Sequence, residues 1–171
     1  MSKYEATIRW ERDTPDFLYD SYNRDHDWTL GGGVPVAASA APEFHGDPDR
    51  VNPEVAFVAA LSGCHMLTFL AIAARQRLVV DRYTDHAVGF MEKNADGKLA
   101  ITRVVLRPQI EFAEGGAPAS DELNRLHEKA HSNCFIANSV LTAVRVEMDE
   151  RPGRASSGDA VSVEPGGDHE E

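Results

Sequence analysis

The stretch from Val55 to Ala74 is twenty residues long without a formal charge, and it limits what the chain can become. By length alone it could cross a bilayer as a helix. It carries Ser62, Gly63, His65 and Thr68, however, and alanines dilute its hydrophobicity. Amphipathic strands and acidic ends surround it, a poor setting for a lone membrane span. A helix apolar on every side is otherwise a buried core helix. Asn52-Pro53-Glu54 supplies the start: Asn52 can cap free amides, Pro53 suits the first helical position, and Glu54 favours the positive end of the dipole. Arg75 and Arg77 suit the negative end, so the pattern predicts a helix ending near Arg75.

Around that helix the chain reads as strands and one further helix. Residues 4–11 alternate loosely and suggest a strand. Residues 14–27 read as loop, and residues 28–39 as a strand kinked or bulged at Gly31-Gly32-Gly33. The glycine triplet lacks phosphate-loop spacing and is read as backbone flexibility. Residues 40–51 are loop. Residues 78–93 return to strand character and end at the turn signal Asn94-Ala95-Asp96-Gly97. Lys98 to Phe112 forms the returning strand, with Pro108 marking an edge or bulge. Ser120 is expected to cap a second helix with Asp121 and Glu122 in its first turn. Leu123, Leu126, Ala130 and Cys134 fall on one face of that helix, which turns Cys134 to the core if the helix runs that far. Residues 140–148 are a last strand, and residues 150–171, rich in Gly, Ser, Pro and acid, a disordered tail.

The order of elements is that of an α+β domain with an antiparallel sheet. One small sheet cannot cover a helix that is apolar all round, so an obligate homodimer is expected. The net charge is -11, from 28 acidic and 17 basic residues. That charge argues against nucleic acid and against anionic membrane surfaces as partners. The start Met1-Ser2-Lys3-Tyr4-Glu5 has no apolar signal segment, which suggests a cytoplasmic protein. In that compartment a disulfide between the two cysteines would be transient and catalytic.

Those cysteines, Cys64 and Cys134, are the candidate chemistry. Each alone reads better as an inert buried thiol than as a reactive one. An apolar setting raises a thiol pKa, so a reactive Cys64 needs a positive charge nearby. If both helices pack in one core the sulfurs could meet. His65 and His131 lie close to the two cysteines, which raises a two-Cys, two-His metal site as an alternative. Adjacent side chains on a helix point about 100° apart, so Cys64 and His65 do not readily share one ion. His65 reads instead as a helix-face or interface residue.

The run Asn52-Pro53-Glu54-Val55-Ala56-Phe57-Val58-Ala59-Ala60-Leu61-Ser62-Gly63-Cys64-His65-Met66-Leu67-Thr68-Phe69-Leu70 resembles the first signature of the OsmC/Ohr family of hydroperoxide reductases. Ala130-His131-Ser132-Asn133-Cys134-Phe135-Ile136-Ala137-Asn138-Ser139-Val140 is similar to its second-cysteine motif. The resemblance covers residues 4–149 and leaves the tail outside, so the domain is set at 1–149 with an acidic tail at 150–171. It implies an intertwined homodimer, antiparallel sheets packed around two long central helices, and two active sites at the subunit interface.

For chemistry, the resemblance implies Cys64 as peroxidatic cysteine and Cys134 as resolving cysteine. It also implies an arginine that stabilises the thiolate and a glutamate that orients it. The glutamate falls on Glu54, and the arginine, by its place before the Asn-Pro-Glu run, on Arg24. Glu54 and Cys64 are about 15 Å apart along one helix, so a loop arginine or the partner subunit must bridge them. Many members have Pro after the resolving cysteine, where this chain has Phe135.

The function so implied is reduction of alkyl or lipid hydroperoxides, with a small or lipoyl-type dithiol as reductant and no metal or organic cofactor. Two other readings use the same residues. One is a non-catalytic dimeric module that binds a small molecule, and the other is a thiol redox sensor.

Overall fold

The structure, a computed structural model, describes residues 1–148. The tail expected at 150–171 lies outside the described residues. The elements run β1 (Thr7–Arg9), β2 (His26–Leu30), β3 (Val34–Ala38), α1 (Pro53–Arg75), β4 (Val80–Asp85), β5 (Val88–Lys93), β6 (Leu99–Leu106), β7 (Pro108–Phe112), α2 (Ser120–Ser132) and β8 (Ala143–Val146). This is an α+β fold whose strands form three small sheets: β1-β2-β3, β4-β7 and β5-β6-β8.

Helix α1 has the predicted bounds. The Asn52 side chain accepts from the Val55 amide at 2.8 Å, and Pro53 opens the first turn. The helix spans two hydrophobic clusters. Leu61, in its middle, packs on Val104 and Leu106 of β6, with Ile136, Val144 and Val146 nearby. Phe69, Ile72 and Ala73, nearer its end, pack on Leu126 and Ala130 of α2 and on the β4–β7 pair. Gly89 allows the close approach of α1 to β5, since a Cβ there would lie 2.6 Å from Val58 Cγ2.

Several expectations are corrected. The glycine triplet closes a hairpin and does not kink one strand. Gly32 and Gly33 both have φ +79°, a left-handed backbone that reverses the chain and pairs Leu30 with Val34. The returning strand is cut at Arg107, so that β6 and β7 enter different sheets. Ser120 is the first helical residue and makes no cap. Ala119 occupies the capping position, and its carbonyl takes the Leu123 amide at 2.9 Å. Helix α2 stops at Ser132, before Cys134. Strand β8 runs parallel to β6, an orientation the long crossover through α2 permits in an otherwise antiparallel set. The uncharged helix is not buried all round within one chain: Val55 is 58% and Leu67 65% exposed.

Phe69 is fully buried where α1 meets α2 and β4. Phe69→Ala is expected to lower unfolding stability by about 3–5 kcal/mol, from lost burial plus the cavity left behind. Urea unfolding of the reduced protein measures it, and a change below about 1 kcal/mol would show that the site does not hold the helices together.

Candidate active site

Helix α1 presents Cys64 half-buried in its middle. Cys134 lies two residues beyond the end of α2 and is 1% exposed. Both are free thiols, and the Cys134 thiol lies close enough to Cys64 to feel its side chain. The turn after α2 brings this about. The Cys134 amide donates to the His131 carbonyl at 3.1 Å, which carries the last helical turn one step further. Asn138 Nδ2 then donates to the carbonyls of Ser132 and Cys134, both at 3.0 Å, and closes the turn. The fold of that turn aims two successive backbone amides at sulfur: Ile136 N lies 3.5 Å from Cys64 Sγ, and Ala137 N 3.4 Å from Cys134 Sγ.

The surroundings treat the two thiols differently. Burial pushes the Cys134 thiol up, and the neighbouring Cys64 side chain adds to this, against the opposing pull of the Ala137 and Ile136 amides. Cys134 is therefore held as a thiol, enclosed, beside a Cys64 that reaches the surface. Such a pair is suited to two-electron oxidation at the outer sulfur followed by closure of a disulfide.

Arg24 and Glu54 meet elsewhere. They line one cavity of about 450 Å³ together with Trp10, Phe17 and Tyr22. The Arg24 guanidinium donates to the carbonyls of Tyr19 and Tyr22 and lies 3.8 Å from the Tyr22 ring centroid. Glu54 Oε2 is buried without a hydrogen-bond partner, and no salt bridge joins it to Arg24 among the described residues. Glu54 also borders a second cavity of about 740 Å³, whose wall includes Gly63 and Met66 on either side of Cys64. In the same wall the Ser62 hydroxyl donates to Asp85 Oδ2 at 2.5 Å. Within one protomer the structure therefore unites Cys64 with Cys134, and places Arg24 and Glu54 along a shared cavity. It does not place Arg24 against Cys64.

The OsmC-like protein family model matches residues 46–149, which include both cysteines and Glu54. The chain belongs to the OsmC-like protein family. Among solved members, an OsmC-like protein of unknown function from Vibrio cholerae is 47% identical, with a TM-score of 0.83 over 87% of this chain and all of that one. An organic hydroperoxide resistance protein OsmC from Legionella pneumophila shares the fold at 17% identity, TM-score 0.64, covering 86% of this chain and 96% of its own. The organic hydroperoxide resistance protein OhrB of Bacillus subtilis does so at 17% identity, TM-score 0.60, over 86% and 98%. No curated protein matches the chain in sequence.

Sequence reasoning missed one polar feature of this OsmC-like site. His65, read from sequence as a helix-face or interface residue, lies on the α1 face that meets α2; it is 1% exposed, and its Nε2 lies 3.0 Å from Nδ1 of His127 on α2. Position 127 is four residues after Leu123 and three before Ala130, spacings that put it on the predicted apolar face, and that was the available signal. No group of three or more His, Cys, Asp or Glu side chains is arranged to hold a metal ion among the described residues. Burial lowers His65 to about 4, with His131 adding to the effect and Asp85 opposing it. Burial lowers His127 to about 4 as well, with His65 adding to it.

The sign of the pH dependence follows. Unfolded histidines titrate near 6.5, so below that pH the unfolded chain takes up protons that the folded chain refuses. Stability is expected to be level above about pH 7 and to fall as pH drops from 6.5 toward 4. Urea midpoints across that range test this. His65→Gln should flatten the curve, and an equal slope in that variant would contradict the assignment.

Proposed function

We propose that the protein is a thiol peroxidase that reduces organic hydroperoxides to alcohols. The observation that carries this reading is the pair of free thiols brought together by one turn, whose successive amides reach both sulfurs, one thiol half-exposed and one buried. Cys64 thiolate attacks the terminal oxygen of the peroxide. The O–O bond breaks, the alkoxide takes a proton and leaves as alcohol, and Cys64 becomes a sulfenic acid. Cys134 then attacks that sulfur, forming the disulfide and releasing water. A dithiol of the small or lipoyl type reduces the disulfide through a mixed disulfide and closes the cycle. The steps need no metal or organic cofactor.

Two features support a homodimer as the working form. The outward face of α1 carries exposed Val55 and Leu67, and Phe135, 80% exposed, projects directly after Cys134. These apolar surfaces suit a second copy of the chain. A second copy could also bring a guanidinium to Cys64, through its own Arg24 and Glu54 across the interface. There Arg24 would favour the thiolate by charge and bind the leaving oxygen. Phe57, Met66 and Phe135 give the helix region an apolar character that suits alkyl or lipid peroxides over hydrogen peroxide.

A second reading is a non-catalytic module. The 740 Å³ cavity beside α1 favours it, because Cys64 does not line that space. Turnover separates the two. With cumene hydroperoxide and a dithiol, Cys64→Ser is expected to lose at least about 1,000-fold in turnover. Cys134→Ser should keep the first oxidation and lose the sustained cycle. Full turnover in Cys64→Ser would overturn the assignment of the nucleophile.

A further inference from the structure

The buried imidazoles of His65 and His127 are joined by a hydrogen bond that the two-thiol chemistry above does not use. Their rings are nearly parallel, with an interplanar angle of 2°, and the His127 ring stacks on Phe69 at 4.6 Å between centroids. This is the one side-chain hydrogen bond between α1 and α2 among the described residues. Around it the two helices pack through the apolar side chains of Phe69, Ile72, Ala73, Leu126 and Ala130. Apolar packing is non-directional and tolerates sliding, whereas an N–H···N bond fixes distance and register.

Its location gives that register a consequence. His65 directly follows Cys64, and His127 lies seven residues before Cys134, about two turns along the helix. The bond therefore sits on both cysteine-bearing segments. We infer that the His65–His127 pair is a positioning pair for the resolving step: it holds α2 in the register that brings Cys134 to Cys64, and it does so only while the pair carries no more than one added proton. The inference rests on the peroxidase reading and extends it to the closure Cys64–SOH + Cys134–SH → disulfide + H₂O.

The proton count follows from the bond. In the neutral pair one ring donates through its inner nitrogen to the bare inner nitrogen of the other. The outer nitrogens, His65 Nδ1 and His127 Nε2, are buried and have no partner. A first added proton takes the one outer nitrogen left bare, where nothing accepts its hydrogen. A second places hydrogens on both inner nitrogens and breaks the bond. The titratable groups around the pair are His131 on α2 and Asp85 on β4, and Tyr83 packs against Phe69 from β4. His131 opposes added charge, and Asp85, already engaged by Ser62 and the Arg107 amide, offsets it only in part.

The test separates the two chemical steps on the full chain, using one equivalent of cumene hydroperoxide. Sulfenic acid at Cys64 is trapped with dimedone, and disulfide is counted by mass spectrometry. At pH 7.5, His127→Leu is expected to slow disulfide closure at least about tenfold while peroxide attack changes less than about threefold. His127→Asn, whose amide replaces Nδ1, should recover most of the closure rate. The pH profile supplies a readout that does not depend on the leucine variant folding. Closure by a buried thiol slows about tenfold per pH unit through loss of thiolate. Wild type should fall more steeply than that as pH drops through about 4, and the double variant His65→Gln/His127→Asn should follow the tenfold line. Equal slopes in the two proteins, or loss of attack and closure by the same factor in His127→Leu, would overturn the inference and leave the peroxidase reading standing. A wild-type Cys64 that never oxidises would overturn both.

Discussion

The docking of α2 on α1 makes neighbours of two thiols that are 70 residues apart in the chain. Neither helix positions its cysteine alone. Helix α1 offers Cys64 from its middle, and α2 stops short of Cys134. The junction is secured by apolar side chains around Phe69 and Leu126 and by one polar bond, His65 to His127. The turn closed by Asn138 then aims two backbone amides at the sulfurs. Burial of Cys134 and partial exposure of Cys64 follow from this packing, and they set which sulfur is open to a reactant from solvent.

Much of the fold was legible because its signals are local. Asn52-Pro53-Glu54 fixed the start of α1, since a capping side chain and a missing amide act within one turn. Asn94 to Gly97 marked a turn for the same reason, with Gly97 at φ +74°. What escaped depends on partners distant in sequence. The parallel pairing of β8 with β6 requires knowing where α2 leaves the chain. Gly31-Gly32-Gly33 looked like a flexible strand until the antiparallel register of β2 and β3 showed it as a reversal. Ser120 had the chemistry of a cap, but the chain entered the helix one residue earlier.

The site divides the same way. Cys64 and Cys134 could be singled out from residue type and resemblance, and the stripe Leu126, Ala130, Cys134 pointed inward even though its helix ends early. His65 could not be placed, because its environment is made by His127, 62 residues away. Arg24 and Glu54 share a cavity within one protomer without approaching Cys64. The exposed apolar residues on α1 and at Phe135 are consistent with a second copy joining the two half-sites.

The convergence of the two thiols is tested most directly by treating the reduced wild-type protein with one equivalent of an organic hydroperoxide and mapping its cysteine linkages under non-reducing digestion. An intrachain Cys64–Cys134 disulfide as the dominant product is expected. Cys64 left unlinked, or bridged to Cys64 of a second chain with Cys134 still reduced, would contradict it.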